Sequence, residues 1–203
     1  AESYIILTEE FPPYNFQKEG KIHGISTEIT REILKRLGQP DNIQIKPWAE
    51  AYNETLNNDN TILFSTTRTA EREEHFKWVG PLVPNNTAFF AKKSAAISIN
   101  NLDDAKKLHR IGVYKKDFGE LLLKSKGFKN LDSVIDNREN VVKLMDGQIE
   151  LWIINEITGK HMLKDVGLLD QVEKVFDVQK DYMYLAFHKN TADEVIVQWQ
   201  KTL

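Results

Sequence analysis

Short apolar runs that suit buried strands alternate with helix signals from the start of the chain, and that alternation limits the fold more than any other feature. Tyr4–Thr8 (YIILT) is apolar and β-rich and reads as a buried strand. Phe11-Pro-Pro-Tyr14-Asn-Phe16 breaks it, because Pro12 and Pro13 forbid helix and restrict the residues before them. Helix signals follow. Ser26 or Thr27 can cap, Ile25, Ile29, Ile33 and Leu37 recur every four residues, and Gly38 ends the helix with Pro40 beyond it. Ile43–Lys46 reads as a second strand, Trp48–Leu56 as a helix behind Pro47, and Thr61–Thr66 as a third strand. Strand, helix, strand, helix, strand predicts a layered α/β unit with a mainly parallel sheet.

The second half repeats the alternation. Thr87–Lys93 reads as strand, Leu102–His109 as helix and Arg110–Tyr114 as strand. Asp117–Lys126 reads as a helix with a capping box of Asp117 and Glu120, closed by Gly127. Asn137–Met145 is a further helix ending near Gly147, Glu150–Ile154 a strand, Tyr182–His188 a late strand and Asp193–Leu203 a terminal helix. No repeat, low-complexity stretch or flexible linker interrupts the 203 residues, which suit two α/β halves.

Composition narrows the function. Net charge is −3, from 27 basic and 30 acidic residues, so the chain is not built to attract nucleic acid or an anionic membrane. No run of 18 apolar residues offers a membrane span. Cysteine is absent, which removes disulfides, thiolate metal ligands and a cysteine nucleophile. The opening Ala1-Glu2-Ser3, without an initiator Met, reads as a mature product after leader cleavage. The five histidines show no HxxxH or HExxH spacing, and no GxSxG, Walker A or GxGxxG motif occurs. Neither a metal nor a cofactor is expected.

In open α/β sheets, ligands bind outside the carboxyl ends of the strands. The chemically informative residues fall there. After the third strand comes STTRTAEREEHFKWVGPL, Ser65–Leu82. Its small hydroxyls and a helix start at Thr69, with Arg72 in the first turn, suit a small carboxylate. Arg72 can hold a carboxylate bidentately, with Thr67 donating to the same group; it equally suits a surface guanidinium paired with Glu71 or Glu73. Arg68 is a rival for the same role. Phe11, Tyr14 and Trp48 can sandwich a ligand stem or pack in the core, and at least one of Tyr14 and Phe16 should face the core. Lys115, Lys116 and Asp117 precede a helix, and Asp117 suits an N-cap first and a ligand contact second. Asn155 and Glu156 follow an apolar strand; a carboxylate there can meet a ligand ammonium or begin the next helix.

With those residues in view, the chain resembles the bacterial extracellular solute-binding proteins of family 3, the receptors that feed amino acids to ABC importers. The likeness spans nearly the whole chain. It rests on EEFPPYNF at Glu9–Phe16, GISTEI at Gly24–Ile29, KPWAEAY at Lys46–Tyr52, STTRTAERE followed by FKWVGP at Phe76–Pro81, and GQIELWIINE at Gly147–Glu156. The resemblance implies a two-lobed, type II periplasmic-binding-protein fold, in which two mainly parallel sheets flanked by helices are joined by two hinge strands. The first lobe is expected over residues 1–90 and 184–203 and the second over 91–183, with the hinges in Thr87–Lys93 and Asp181–His188. Phe11 and Trp48 fall where relatives stack on the ligand, Ser65, Thr67 and Arg72 on carboxylate-binding positions, and Lys115, Asp117 and Phe118 on the second-lobe loop that touches ligand.

Amino-acid binders usually place an acidic residue where Asn155 stands, so this chain either holds an ammonium more weakly, with Glu156 or Asp117 compensating, or takes another small carboxylate. Relatives also continue past Leu203. The resemblance implies a monomeric, non-enzymatic periplasmic receptor that closes on its solute and hands it to an ABC permease. Two alternatives share the scaffold. One is a dehydratase-like enzyme acting on cyclic acids, with Glu156 as an acid whose pKa is raised by burial. The other is the ligand-binding module of a membrane sensor.

Overall fold

The computed structural model describes residues 3–203. The reading of Ala1-Glu2 as a mature terminus lies outside them. Two compact units divide the chain: one runs to Pro84 and resumes over Asp181–Leu203, and the other is Asn85–Lys180.

In the first unit, β1 (Ile5–Thr8) lies parallel to both β4 (Ile43–Ile45) and β5 (Thr61–Thr67). The distal part of β10 (Val172–His188) closes the sheet in the antiparallel sense, Phe187 opposite Ile62, giving the order β4-β1-β5-β10. Every residue of β5 is buried, which explains its continuous apolar and hydroxyl composition. Helices α1 (Ile25–Arg36), α2 (Trp48–Asn57) and α7 (Asp193–Thr202) belong to this unit. Its core joins Ile6, Ile33, Leu34, Ile62, Phe64, Leu185, Phe187 and Trp199, with the Phe187 and Trp199 rings edge-on at 5.0 Å.

A hairpin of β2 (Phe16–Lys18) and β3 (Lys21–His23) fills the space before α1. Glu19 and Gly20 make its two-residue turn with φ of 51° and 75°, as a type I′ turn requires. The sequence reading missed the hairpin because Glu-Gly is not one of the usual I′ pairs. It also misplaced the start of α1. The N-cap is Gly24, at φ 125°, with no side-chain cap, and Ser26 and Thr27 are inside the helix. The Pro13 and Tyr14 carbonyls do the capping, taking the Ile25 amide at 3.1 Å and the Ser26 amide at 2.9 Å. A Cβ on Gly24 would strike the Tyr14 carbonyl, so only glycine lets the loop seat on the helix end.

In the second unit, β7 (Ile111–Tyr114) pairs in parallel with β8 (Leu131–Val134) and β9 (Leu151–Asn155), and β9 pairs antiparallel with the distal part of β6 (Phe76–Lys92). The order is β6-β9-β7-β8. Helices α3 (Leu102–Lys106), α4 (Phe118–Ser125), α5 (Arg138–Met145) and α6 (Glu156–Asp165) complete it. Helix α3 stops at Lys106, three residues short of the expected His109, because its only buried residue is Ala105. Strands β6 and β10, 17 residues each, run through the unit boundaries. The sequence shows only fragments of them, since Gly80, Pro81 and Pro84 punctuate β6 and polar residues break the apolar pattern of β10.

Candidate functional site

The carboxyl end of β5 departs from a regular strand. Tyr184 of β10 faces Thr66 and Ala186 faces Leu63, so β5 spends three steps where its partner spends two. The additional residue is absorbed at Ser65, whose φ is +58°. This is a β-bulge, a device that re-aims the side chains beyond it. The Ser65 hydroxyl donates to Asn15 Oδ1 at 2.5 Å, and Asn15 Nδ2 donates to the Glu9 carbonyl at 2.8 Å. Asn15, fully buried, therefore ties the loop after β1 to the bulge of β5.

Thr67 ends the strand and Arg72 lies five residues on. The expected α-helix from Thr69 does not form. Instead the Arg72 amide turns back to the Thr69 carbonyl at 3.1 Å, and a single 3-10 turn, Glu73–His75, leads into β6. None of Glu73–His75 is buried, so the stretch lacks the apolar stripe that would hold a longer helix down. The Arg72 side chain is 1% exposed. Its Nη1 donates to the Thr67 carbonyl at 3.0 Å, and its guanidinium carbon sits 5.1 Å from the Trp48 ring centroid and 5.3 Å from that of Tyr52. Both rings come from the first turns of α2, one helical turn apart, and lie 5.7 Å from each other. Burial raises the pKa of the Tyr52 phenol despite the opposing pull of Arg72. A buried, flat cation held by π faces and a carbonyl is preorganised for a planar anion such as a carboxylate.

The other expected residues of this unit fall nearby in the sequence of elements. Phe11 stacks on Tyr14 at 5.6 Å and 25°, and the Tyr14 hydroxyl reaches the Pro84 carbonyl at 3.4 Å. Tyr14 packs with Val83 and Met183, with Phe11 partly buried against the group. Asn15 is buried beside Tyr14, so simple alternation of faces fails here: an Phe11–Asn15 bridge closes residues 11–15 into a turn. Arg68, the rival guanidinium, is held bidentately by Glu73 (2.7 and 2.5 Å) and lies over Trp78 and Tyr184.

In the second unit, Lys115 and Lys116 are exposed, Lys116 at φ 59°, and Phe118 is buried. Asp117 is the N-cap of α4 and accepts the Phe118 amide at 2.6 Å. Glu120 reaches past Asp117 to the Lys116 amide at 2.6 Å, so the expected capping box is shifted by one residue. Asn155 caps α6: its Oδ1 accepts the Thr158 amide at 3.0 Å and its Nδ2 donates to Asn85 Oδ1 at 2.8 Å. Glu156 overturns one expectation. Lys160 at 2.6 Å and Lys174 at 3.0 Å both meet its carboxylate, and the Lys160 bond above all holds its pKa below the ordinary carboxylate value. Burial does not raise it, because two cations outweigh the desolvation. The raised Glu156 pKa on which the dehydratase alternative drew is therefore not found.

Sequence reasoning missed Tyr52, Asn15, Asn85 and the Arg68–Glu73 pair. Tyr52 was reachable, since it sits four residues after Trp48 on one helix face. The Asn15–Ser65 and Asn85–Asn155 contacts join residues 50 and 70 positions apart and leave no local signal. Among the described residues no group of three or more His, Cys, Asp or Glu is placed to hold a metal ion, and no helix is long and apolar enough to cross a membrane.

Comparison with known proteins places the whole chain in a wider set. The sequence profile of the bacterial extracellular solute-binding proteins, family 3, matches residues 4–198. No curated protein matches the sequence. Among solved structures, a histidine kinase sensor domain with similarity to periplasmic binding proteins superposes at a TM-score of 0.90 with 16% identity, covering 98% of this chain and 88% of that one. A substrate-binding protein of an ABC uptake transporter from Streptococcus pneumoniae, with bound histidine, gives 0.88 and 16% over 98% and 85% of the two chains. An ancestral arginine-binding protein bound to arginine gives 0.82 and 21% over 97% and 88%. The fold is the mixed α/β periplasmic-binding-protein fold, type II.

Proposed function

Because this chain belongs to the bacterial extracellular solute-binding proteins, family 3, we propose that it captures a small carboxylate-bearing solute, an amino acid before others, outside the cytoplasm. The observation that carries the reading is Arg72: a guanidinium 1% exposed, over Trp48 and Tyr52, at the carboxyl end of a bulged strand. In this reading Arg72 neutralises the solute's carboxylate, Thr67 donates beside it, and Phe11 and Trp48 bound the apolar part. Lys115, Asp117 and Phe118 supply the second unit's contacts. The histidine-bound and arginine-bound relatives support an amino acid as the solute. Asn155 carries no charge to meet a ligand ammonium, and its amide is engaged by Thr158 and Asn85, so the carboxylate end dominates recognition.

The working role is periplasmic delivery, as a monomer, to an ABC permease. A second reading, the ligand-binding module of a membrane sensor, draws on the likeness to the kinase sensor domain. Both readings require the same capture step. Thermal-shift scanning of the twenty L-amino acids and a series of short monocarboxylates tests it. At least one compound should raise Tm for the wild type and none for Arg72→Ala. A wild-type protein whose Tm no carboxylate moves would refute the proposal.

A further inference from the structure

Arg68 and Arg72 stand four residues apart and are treated very differently. Each lies over two aromatic rings of one connected series: Trp48–Tyr52 at 5.7 Å, Tyr52–Phe76 at 5.3 Å, Phe76–Trp78 at 5.7 Å and Trp78–Tyr184 at 6.0 Å. Arg72 occupies the Trp48–Tyr52 end and is buried; Arg68 occupies the Trp78–Tyr184 end, with its side chain 40% exposed. The Nε and Nη2 edge of Arg68 is filled by both oxygens of Glu73, at 2.7 and 2.5 Å. Trp78 donates its indole N–H to the Glu73 carbonyl at 3.3 Å, and Tyr184 packs so closely on Gly80 that a Cβ there would meet its ring at 2.5 Å. Residues 68 and 73 thus pinch off a loop of four residues, 69–72, whose last member is Arg72. Within that loop the Arg72 amide bonds Thr69, and the His75 amide bonds the Arg72 carbonyl at 3.0 Å.

We propose that Arg68 and Glu73 are positioning residues: their clamp, seated on Trp78 and Tyr184, fixes the 69–72 loop so that the Arg72 guanidinium is held in register with the Trp48–Tyr52 slot. This rests on the reading of Arg72 as the carboxylate-binding group. An ion pair with both side chains 40–45% exposed adds little to global stability, so its effect is local geometry. Loss of the clamp lets the loop sample other shapes, and binding then has to restore the productive one.

Glu73→Gln is the test, read in two ways. Without any ligand, hydrogen exchange of the peptide covering 69–75 should speed up about tenfold or more at the Arg72 and His75 amides, while Tm falls by less than about 3 °C. With the L-amino acid that shifts wild-type Tm most, calorimetry should show affinity falling about 5- to 30-fold, and Glu73→Gln should add less than twofold in an Arg72→Lys background. A purely structural pair would lower affinity equally in both backgrounds. Unchanged exchange at 69–75, or wild-type affinity within twofold, overturns the clamp. If no amino acid binds the wild type, the functional reading falls while the exchange measurement still decides the clamp.

Discussion

The two units hold their candidate residues by different means. In the first, a cation is buried among aromatic rings, and the strand that leads to it carries a bulge tied to a buried asparagine. In the second, Asn155 is spent on a helix cap and a partner amide, Glu156 on two lysines, and Asp117 caps α4. The first unit thus holds a buried, preorganised charge, and the second has well-tied helix starts. Substitutions at the Arg72 site should therefore act on affinity, and substitutions at Asn155 and Glu156 on stability.

The largest expected effect is from Arg72→Ala, which should cost about 2–4 kcal/mol of binding while the circular dichroism spectrum stays native. Calorimetry checks this, and a loss below about 1 kcal/mol would erase the contrast between the units. Gly24→Ala should follow, destabilising by about 2–3 kcal/mol in urea unfolding, because a Cβ cannot share space with the Tyr14 carbonyl and φ is +125°. Asn155→Ala should lower stability by about 1 kcal/mol through loss of the α6 cap, with affinity changed by less than threefold. An affinity loss matching that of Arg72→Ala would break the comparison.

The smallest effect concerns acid. Burial pushes the Glu120 carboxyl up, but bonds from the Lys116 amide, the Ser133 hydroxyl and Lys124 outweigh it, and its pKa is lowered. Glu156 is lowered too, by Lys160 first. A carboxylate depressed in the folded state stabilises above its unfolded pKa and loses that contribution as pH falls through the folded one. Stability should therefore drop below about pH 4.5, and the double variant Glu120→Gln, Glu156→Gln should show a flatter fall there than the wild type. An unchanged acid limb would mean these carboxylates do not couple to folding.

The alternation of elements was readable because each short apolar run is a buried strand and each four-residue repeat a helix face, as in β5 and α1. Arg72 was readable from its motif and from the strand that precedes it. Its surroundings were not. The four residues 69–72 carry helix-start chemistry, yet the chain turns there, because none of Glu73–His75 is buried and β6 already starts at Phe76. Helix α1 shows the same limit: its caps are backbone carbonyls of a loop twelve residues earlier, which no side-chain pattern announces. The expected rise in the Glu156 pKa failed first on Lys160, four residues on along α6, and then on Lys174, eighteen residues away and adjacent only in space.

The left-handed residue in β5 also restricts how this protein can change. Deleting one position between Leu63 and Thr67 would rotate every later side chain to the opposite side of the sheet, taking Thr66, Thr67 and the turn to Arg72 with it. If the proposed reading holds, variation in the solute accepted should come through exchanges of side chain at Phe11, Trp48 or Tyr52, with the length of this segment kept constant.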